Sequence, residues 1–157
     1  MNQEVLNEDN LEAVPVVFDN EMVIDFNSLS KNENFARTVI AAFVSQLNPT
    51  LEEIADIKTA VSEAVTNSII HGYYNSIGKV TIRCGIKNHD VYIEIIDHGV
   101  GIEDVERAME PLFTTSPELE RSGMGFAFMS AFMDGLEVLS KRGIGTTVKM
   151  RKRIGTT

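Results

Sequence analysis

The chain holds one cysteine, Cys84, and no tryptophan among its 157 residues. A lone thiol excludes an intrachain disulfide, so packing alone must hold the fold, and a reducing cytoplasm is the simplest setting. Cys84 falls within an alternating apolar pattern and reads as a small core residue. No apolar run reaches the roughly 20 residues needed to span a bilayer. Residues 1–20 carry neither a basic start nor an apolar core, so they do not read as a signal peptide. Basic residues are scarce, 14 Lys and Arg against 23 Asp and Glu, for a net charge of −9. That balance disfavours nucleic acid, whose binding depends on cations neutralising phosphates, and it admits a basic protein partner. No Lys or Arg precedes Lys31, whereas Lys149, Arg151, Lys152 and Arg153 crowd the C-terminus. This cluster reads as a solvated edge strand. Internal repeats are absent, and so is a Walker A phosphate loop.

The length suits one domain with a real core. Residues 1–20, acidic and without periodicity, read as a flexible extension, leaving residues 21–157 as the domain. Met22, Ile24 and Phe26 alternate as a strand does. Ser30 with Glu33, and Thr50 with Glu53, spell two capping boxes. The first starts a helix to about Leu47, with Phe35, Val39, Ala42 and Phe43 on one side. The second starts a helix to His71 that ends at Gly72. Val80 to Ile86 and Val91 to Ile95 alternate around an Asn88-His89-Asp90 turn, the pattern of a hairpin. A short helix is expected over residues 103–110 and another over residues 126–134, with strands over residues 136–140 and 146–151. Consecutive antiparallel strands with interspersed helices predict an α+β two-layer sandwich, a mostly antiparallel sheet covered on one face by helices.

Three segments carry chemistry. Glu63, Asn67 and His71 are spaced to form one stripe of the second helix, with Ala60 and Ala64 leaving room beside it. Asn67 offers a hard amide oxygen, enough for magnesium when phosphates and water supply the rest. Glu63, one turn away, can accept a proton from an attacking hydroxyl. By itself such a pair is better explained by a solvated polar face, and the glycine motifs downstream turn the reading toward chemistry. His71 stands at the helix end, where a cap fits as well as chemistry. Asp97 closes a strand, and Gly99 and Gly101 follow. An aspartate there can accept from an exocyclic amine such as that of adenine, or simply shape a turn. Gly123-Met124-Gly125 opens a helix whose N–H groups suit phosphate. Thr114, Thr115, Arg121 and Ser122 lie in the long polar stretch before it, residues 111–122, which has the length of a functional loop. Arg121 can pair with a terminal phosphate or stand as a surface charge. Thr146, opening the last strand, can reach Asp97 through its hydroxyl.

Taken in order, the segments resemble the GHKL superfamily, which includes gyrase, histidine kinases and MutL. Glu63 to Asn67 is similar to its N box, Asp97 to Gly101 to its G1 box, and Gly123 to Gly125 to its G2 box. The stretches Glu63 to Gly72, Pro111 to Phe126 and Asn34 to Arg37 resemble the anti-sigma-F factor family of spore-forming bacteria. Asp97-His98-Gly99-Val100-Gly101-Ile102 favours this sporulation type over the related stress-response anti-sigma kinases. The resemblance implies a homodimeric serine kinase that uses ATP and magnesium. Such a kinase sequesters a sporulation sigma factor and phosphorylates a serine on an anti-anti-sigma protein. It implies Glu63 as general base, Asn67 as magnesium ligand and Asp97 as adenine reader. Gly99, Gly101, Gly123, Met124, Gly125, Phe126 and Thr146 complete the implied nucleotide site. Residues 111–122 become an ATP lid, and Glu33 and Arg37 mark partner docking. His98 departs from the family, standing where an acid is common. Two other readings stay open. One is an anti-sigma binding module that needs nucleotide but transfers no phosphate, against which Glu63 argues. The other is the catalytic half of a histidine kinase, against which the lack of a phosphoacceptor hairpin argues.

Overall fold

The structure is a computed structural model describing residues 16–110 and 125–155. Its strands are β1 (Asn20–Asn27), β2 (Lys79–Lys87), β3 (Asp90–Asp97), β4 (Gly135–Lys141) and β5 (Gly145–Arg153). They form one sheet in the order β1-β2-β3-β5-β4, every neighbouring pair antiparallel. The helices are α1 (Asn32–Val44), α2 (Leu51–Asn67), α3 (Val105–Ala108) and α4 (Gly125–Phe132). This is the expected α+β sandwich. The period-2 alternation sends Val80, Ile82, Cys84 and Ile86 of β2 and Val91, Ile93 and Ile95 of β3 into the core. There they meet α2, whose Ile57, Val61 and Val65 are fully buried.

Local signals set the helix starts unevenly. The Thr50–Glu53 box forms in full, with Glu53 N donating to Thr50 Oγ1 at 3.1 Å and Thr50 N to Glu53 Oε1 at 2.8 Å. The expected Ser30–Glu33 box does not form. α1 begins after Lys31 without a side-chain cap, and Glu33 instead turns to Ser62, whose hydroxyl donates to it at 3.4 Å. The expected apolar face of α1 is also displaced. Ala36, Ile40 and Val44 are buried, whereas Phe35 is 48% exposed and rests edge-on against Phe26. The helix is apolar over a wide arc, and the slimmer stripe fits against α2. The first helix continues as a 3₁₀ turn to Leu47. The short helix expected over residues 103–110 shrinks to α3, capped by Asp104 at Arg107 N.

The C-terminal basic cluster is not an edge. β5 lies between β3 and β4, and its cations meet acids: Lys149 with Glu94 at 3.6 Å, Arg151 with Asp90 at 3.7 Å and Lys152 with Asp56 at 3.7 Å. Of the N-terminal extension, residues 1–15 lie outside the described residues. Asp19 is already docked, its N–H donating to Ile86 O at 2.7 Å while its carboxylate accepts from Asn88 N at 2.7 Å. Among the described residues no helix is long and apolar enough to cross a membrane.

Cys84 is 2% exposed, and burial pushes its thiol up to about 12. It should therefore resist a thiol-specific chromogenic reagent in the folded protein and react fully in denaturant. Rapid reaction without denaturant would contradict its placement in the core.

Candidate functional site

Asp97 ends β3 facing the helices and is 3% exposed. Its carboxylate is held from two directions. Ser68 Oγ donates to Oδ2 at 2.9 Å, and Gly99 N donates to Oδ1 at 2.9 Å. Burial nonetheless raises the Asp97 pKa above its ordinary value, because desolvation outweighs these donors and the nearby charge of His98. The expected hydroxyl bridge from Thr146 to Asp97 does not form. Thr146 Oγ1 lies 2.7 Å from Ser140 Oγ, and Thr146 sits opposite Asp97 in the β3–β5 register.

Ser68 reaches Asp97 because the second helix changes pitch. α2 stops at Asn67 and a π-helical turn spans Ser68–Gly72, closed by Tyr73 N donating to Ser68 O at 2.9 Å. Such turns widen the helix locally and are common at functional sites. This turn lays Gly72 directly beside Asp97, where a Cβ would stand 3.0 Å from the carboxylate atoms. Gly99 packs on the Gly72 peptide so closely that a Cβ would collide with its carbonyl, and Val100 N donates to Gly72 O at 2.8 Å. Gly101 has φ +77, and its Cα faces the Lys141 carbonyl. The loop after β3 is thereby fastened to the end of the second helix on one side and to the β4–β5 turn on the other.

Glu63 and Asn67 meet at the start of α4. A Cβ on Gly125 would lie 3.3 Å from Asn67 Nδ2 and 3.4 Å from Glu63 Oε2. Gly125 is therefore the point where the acid, the amide and a helix N-terminus come together.

Between these parts lies a cavity of about 520 Å³, within the usual range for small-molecule sites. Asp97, Ser68 and Thr146 are among its polar lining, and Ala64, Ile102, Phe126 and Val148 give apolar walls. Asn67 and Gly125 line it as well, while Glu63 stands beside Gly125 and outside the lining. Arg142 and Glu103 pair at 2.7 Å on its rim, each 75% exposed, so water screens that contact. Among the described residues no group of three or more His, Cys, Asp or Glu side chains could hold a metal.

Among the described residues, most of those singled out in the sequence converge here: Asn67, Asp97, Gly101, Gly125, Phe126 and Thr146 line the cavity, and Gly99 supports its loop. Glu33 and Arg37 lie elsewhere, on α1, where Arg37 holds Asn34 Oδ1 through two N–H groups at 3.1 and 2.9 Å. Thr114, Thr115, Arg121, Ser122, Gly123 and Met124, with the rest of the expected lid, lie outside the described residues. Sequence reading missed Ser68, Gly72, Tyr73 and Ser140. The hydroxyl following Asn67 and a glycine four residues beyond it were the available signals, but helical periodicity places neither against Asp97.

Residues 27–152 match the family described as histidine kinase-like ATPase domain. The chain is 62% identical over 139 residues to an anti-sigma F factor of a Thermoanaerobacter species, covering 88% of this chain and 97% of that protein. It is 63% identical over 138 residues to the anti-sigma F factor of Caldanaerobacter subterraneus, covering 88% and 96%. Against that of Clostridium kluyveri the identity is 57% over 136 residues, covering 87% and 96%. The chain belongs to the anti-sigma F factor family, on a histidine kinase-like ATPase fold.

Two outcomes follow from the Asp97 clamp. An acid whose folded pKa is raised contributes stability below its ordinary value of 3.8 and loses it as pH rises through the folded value. The melting temperature of the wild type minus that of Asp97→Asn should accordingly fall as pH climbs above 3.8. A difference that stays flat or grows would rule out burial as the dominant influence. Separately, Gly99→Ala should cost roughly 1–3 kcal/mol in urea unfolding, the usual penalty for forcing atoms into a filled space. An unchanged midpoint would mean that the Gly72 contact yields freely.

Proposed function

We propose that this chain is a protein serine kinase that also sequesters a sporulation sigma factor. ATP occupies the cavity, and the acceptor is a serine of an anti-anti-sigma protein. The observation that carries this reading is the meeting of Glu63 and Asn67 at Gly125, on the border of a cavity floored by Asp97. Asp97 accepts from the exocyclic amine of adenine, and the apolar walls receive the base. The donor chemistry fits magnesium: Asn67 offers one hard oxygen, as is usual where phosphates and water supply the other ligands. When bound, that cation supplies neutralisation of phosphate charge. The amide groups at the start of α4 favour anionic oxygens through the helix dipole.

Glu63 orients the incoming serine and takes its proton. The serine Oγ forms the new bond to the terminal phosphorus, the bond from that phosphorus to the bridging oxygen breaks, and ADP leaves with the electron pair. Positioning and charge neutralisation supply most of the rate. Glu33 and Arg37 on α1 form the docking surface, and the acidic net charge suits basic parts of a sigma factor. A homodimer in the cytoplasm is the working form, and residues 111–122 serve as its ATP lid.

The test is incubation with γ-labelled ATP, magnesium and the anti-anti-sigma protein, followed by location of the label. Phosphoserine on the partner is expected, and Glu63→Ala should slow transfer at least about 100-fold while nucleotide still binds. Full transfer by that variant would remove Glu63 from the mechanism. No transfer by the wild type, with nucleotide and sigma factor still bound, would leave a binding module. Label on a histidine of this chain would point to the histidine-kinase branch.

A further inference from the structure

Tyr73 is 8% exposed and does not line the cavity, yet its hydroxyl is fully committed. It donates to Lys79 O at 2.6 Å and accepts from His98 N at 2.7 Å. His98 N belongs to the peptide that joins Asp97 to the glycine loop. The phenol therefore grips the backbone immediately after Asp97. The ring is itself fixed. Gly78 lies flat against it, so close that a Cβ there would overlap the aromatic carbons, and Gly78 N donates to Ser28 Oγ at 3.0 Å. Tyr73 also supplies the N–H that closes the π-helical turn presenting Ser68. One residue thus joins the turn carrying Ser68, the start of β2 and the backbone of the base-reading loop.

We infer that Tyr73 is a positioning residue for base recognition, its hydroxyl setting where the Asp97 carboxylate stands. The inference rests on the reading of Asp97 as the group that accepts from adenine. A carboxylate discriminates an amine from a carbonyl at the purine 6-position only if its acceptor oxygen is held at hydrogen-bond distance and angle. Removing the phenol frees the His98 N–H and the Lys79 carbonyl, and the peptide after Asp97 can then turn to find new partners.

The experiment measures dissociation constants of ATP and GTP for the full chain, wild type and Tyr73→Phe, beside melting temperatures. The phenylalanine variant should bind ATP about tenfold more weakly, as loss of a buried hydrogen-bond partner implies. GTP binding should change far less, so the preference for ATP shrinks. Turnover at saturating ATP should stay near wild type while KM rises. A merely structural role predicts a lower melting temperature with the ATP-to-GTP ratio intact, and that result would overturn the inference. A wild type that does not prefer ATP over GTP would instead overturn the Asp97 reading itself. Should Tyr73→Phe fail to fold, Gly78→Ala tests the same contact by displacing the ring, and an unaltered ATP-to-GTP ratio there counts against the inference equally.

Discussion

A buried carboxylate is the constraint around which this domain is arranged. Asp97 ends the central strand β3 at 3% exposure, and burying a charge without partners is costly. The fold answers by bringing it a hydroxyl from the π-helical turn and an N–H from its own loop. The two donors come from different parts of the chain, so satisfying one side chain fixes the mutual placement of the π-helical turn and the glycine loop. Desolvation still wins, and the raised pKa records that the donors offset the cost only in part. Asp97 is also part of the cavity lining.

Close backbone approach is the second half of the arrangement. Gly72, Gly99 and Gly101 stand where a side chain would strike a carboxylate or a carbonyl. These contacts leave the loop after β3 with backbone hydrogen bonds on both flanks, Val100 N to Gly72 O and Gly143 N to Val100 O. A loop held this way is ordered in advance, and prior ordering lessens the cost of binding in general. Gly125 plays the corresponding part at the other end of the cavity, admitting Glu63 and Asn67 to the start of α4.

Signals confined to one turn of chain were legible, and signals that depend on distant neighbours were not. The Thr50–Glu53 box forms because its partners are three residues apart, and Glu53 keeps it through Oε1 while Oε2 accepts from Gly155 N at 3.2 Å. The Ser30–Glu33 box has the same spelling, but Glu33 finds Ser62 on α2. The basic C-terminus looked like an edge because clustered cations are typical of solvated edge strands. It is interior because β5 returns to pair with β3, where Glu94 and Asp90 await its cations. Ser68 passed unremarked because an ideal helix points it elsewhere, and only the pitch change after Asn67 turns it toward Asp97.

Periodicity, caps and turn residues are properties of a few consecutive residues, so the sequence by itself determined which segments are strands or helices and which faces of the strands are apolar, while the buried face of α1 was left to packing. It also determined the order and spacing of the acid, the amide, the aspartate and the glycines. Tertiary structure alone decided that Glu63 and Asn67 meet Gly125, that Tyr73 grips the peptide after Asp97, and that β5 separates β3 from β4. The reason is physical. These contacts join residues tens of positions apart, and whether they form depends on strand order, helix pitch and the few tenths of an ångström that a missing side chain frees.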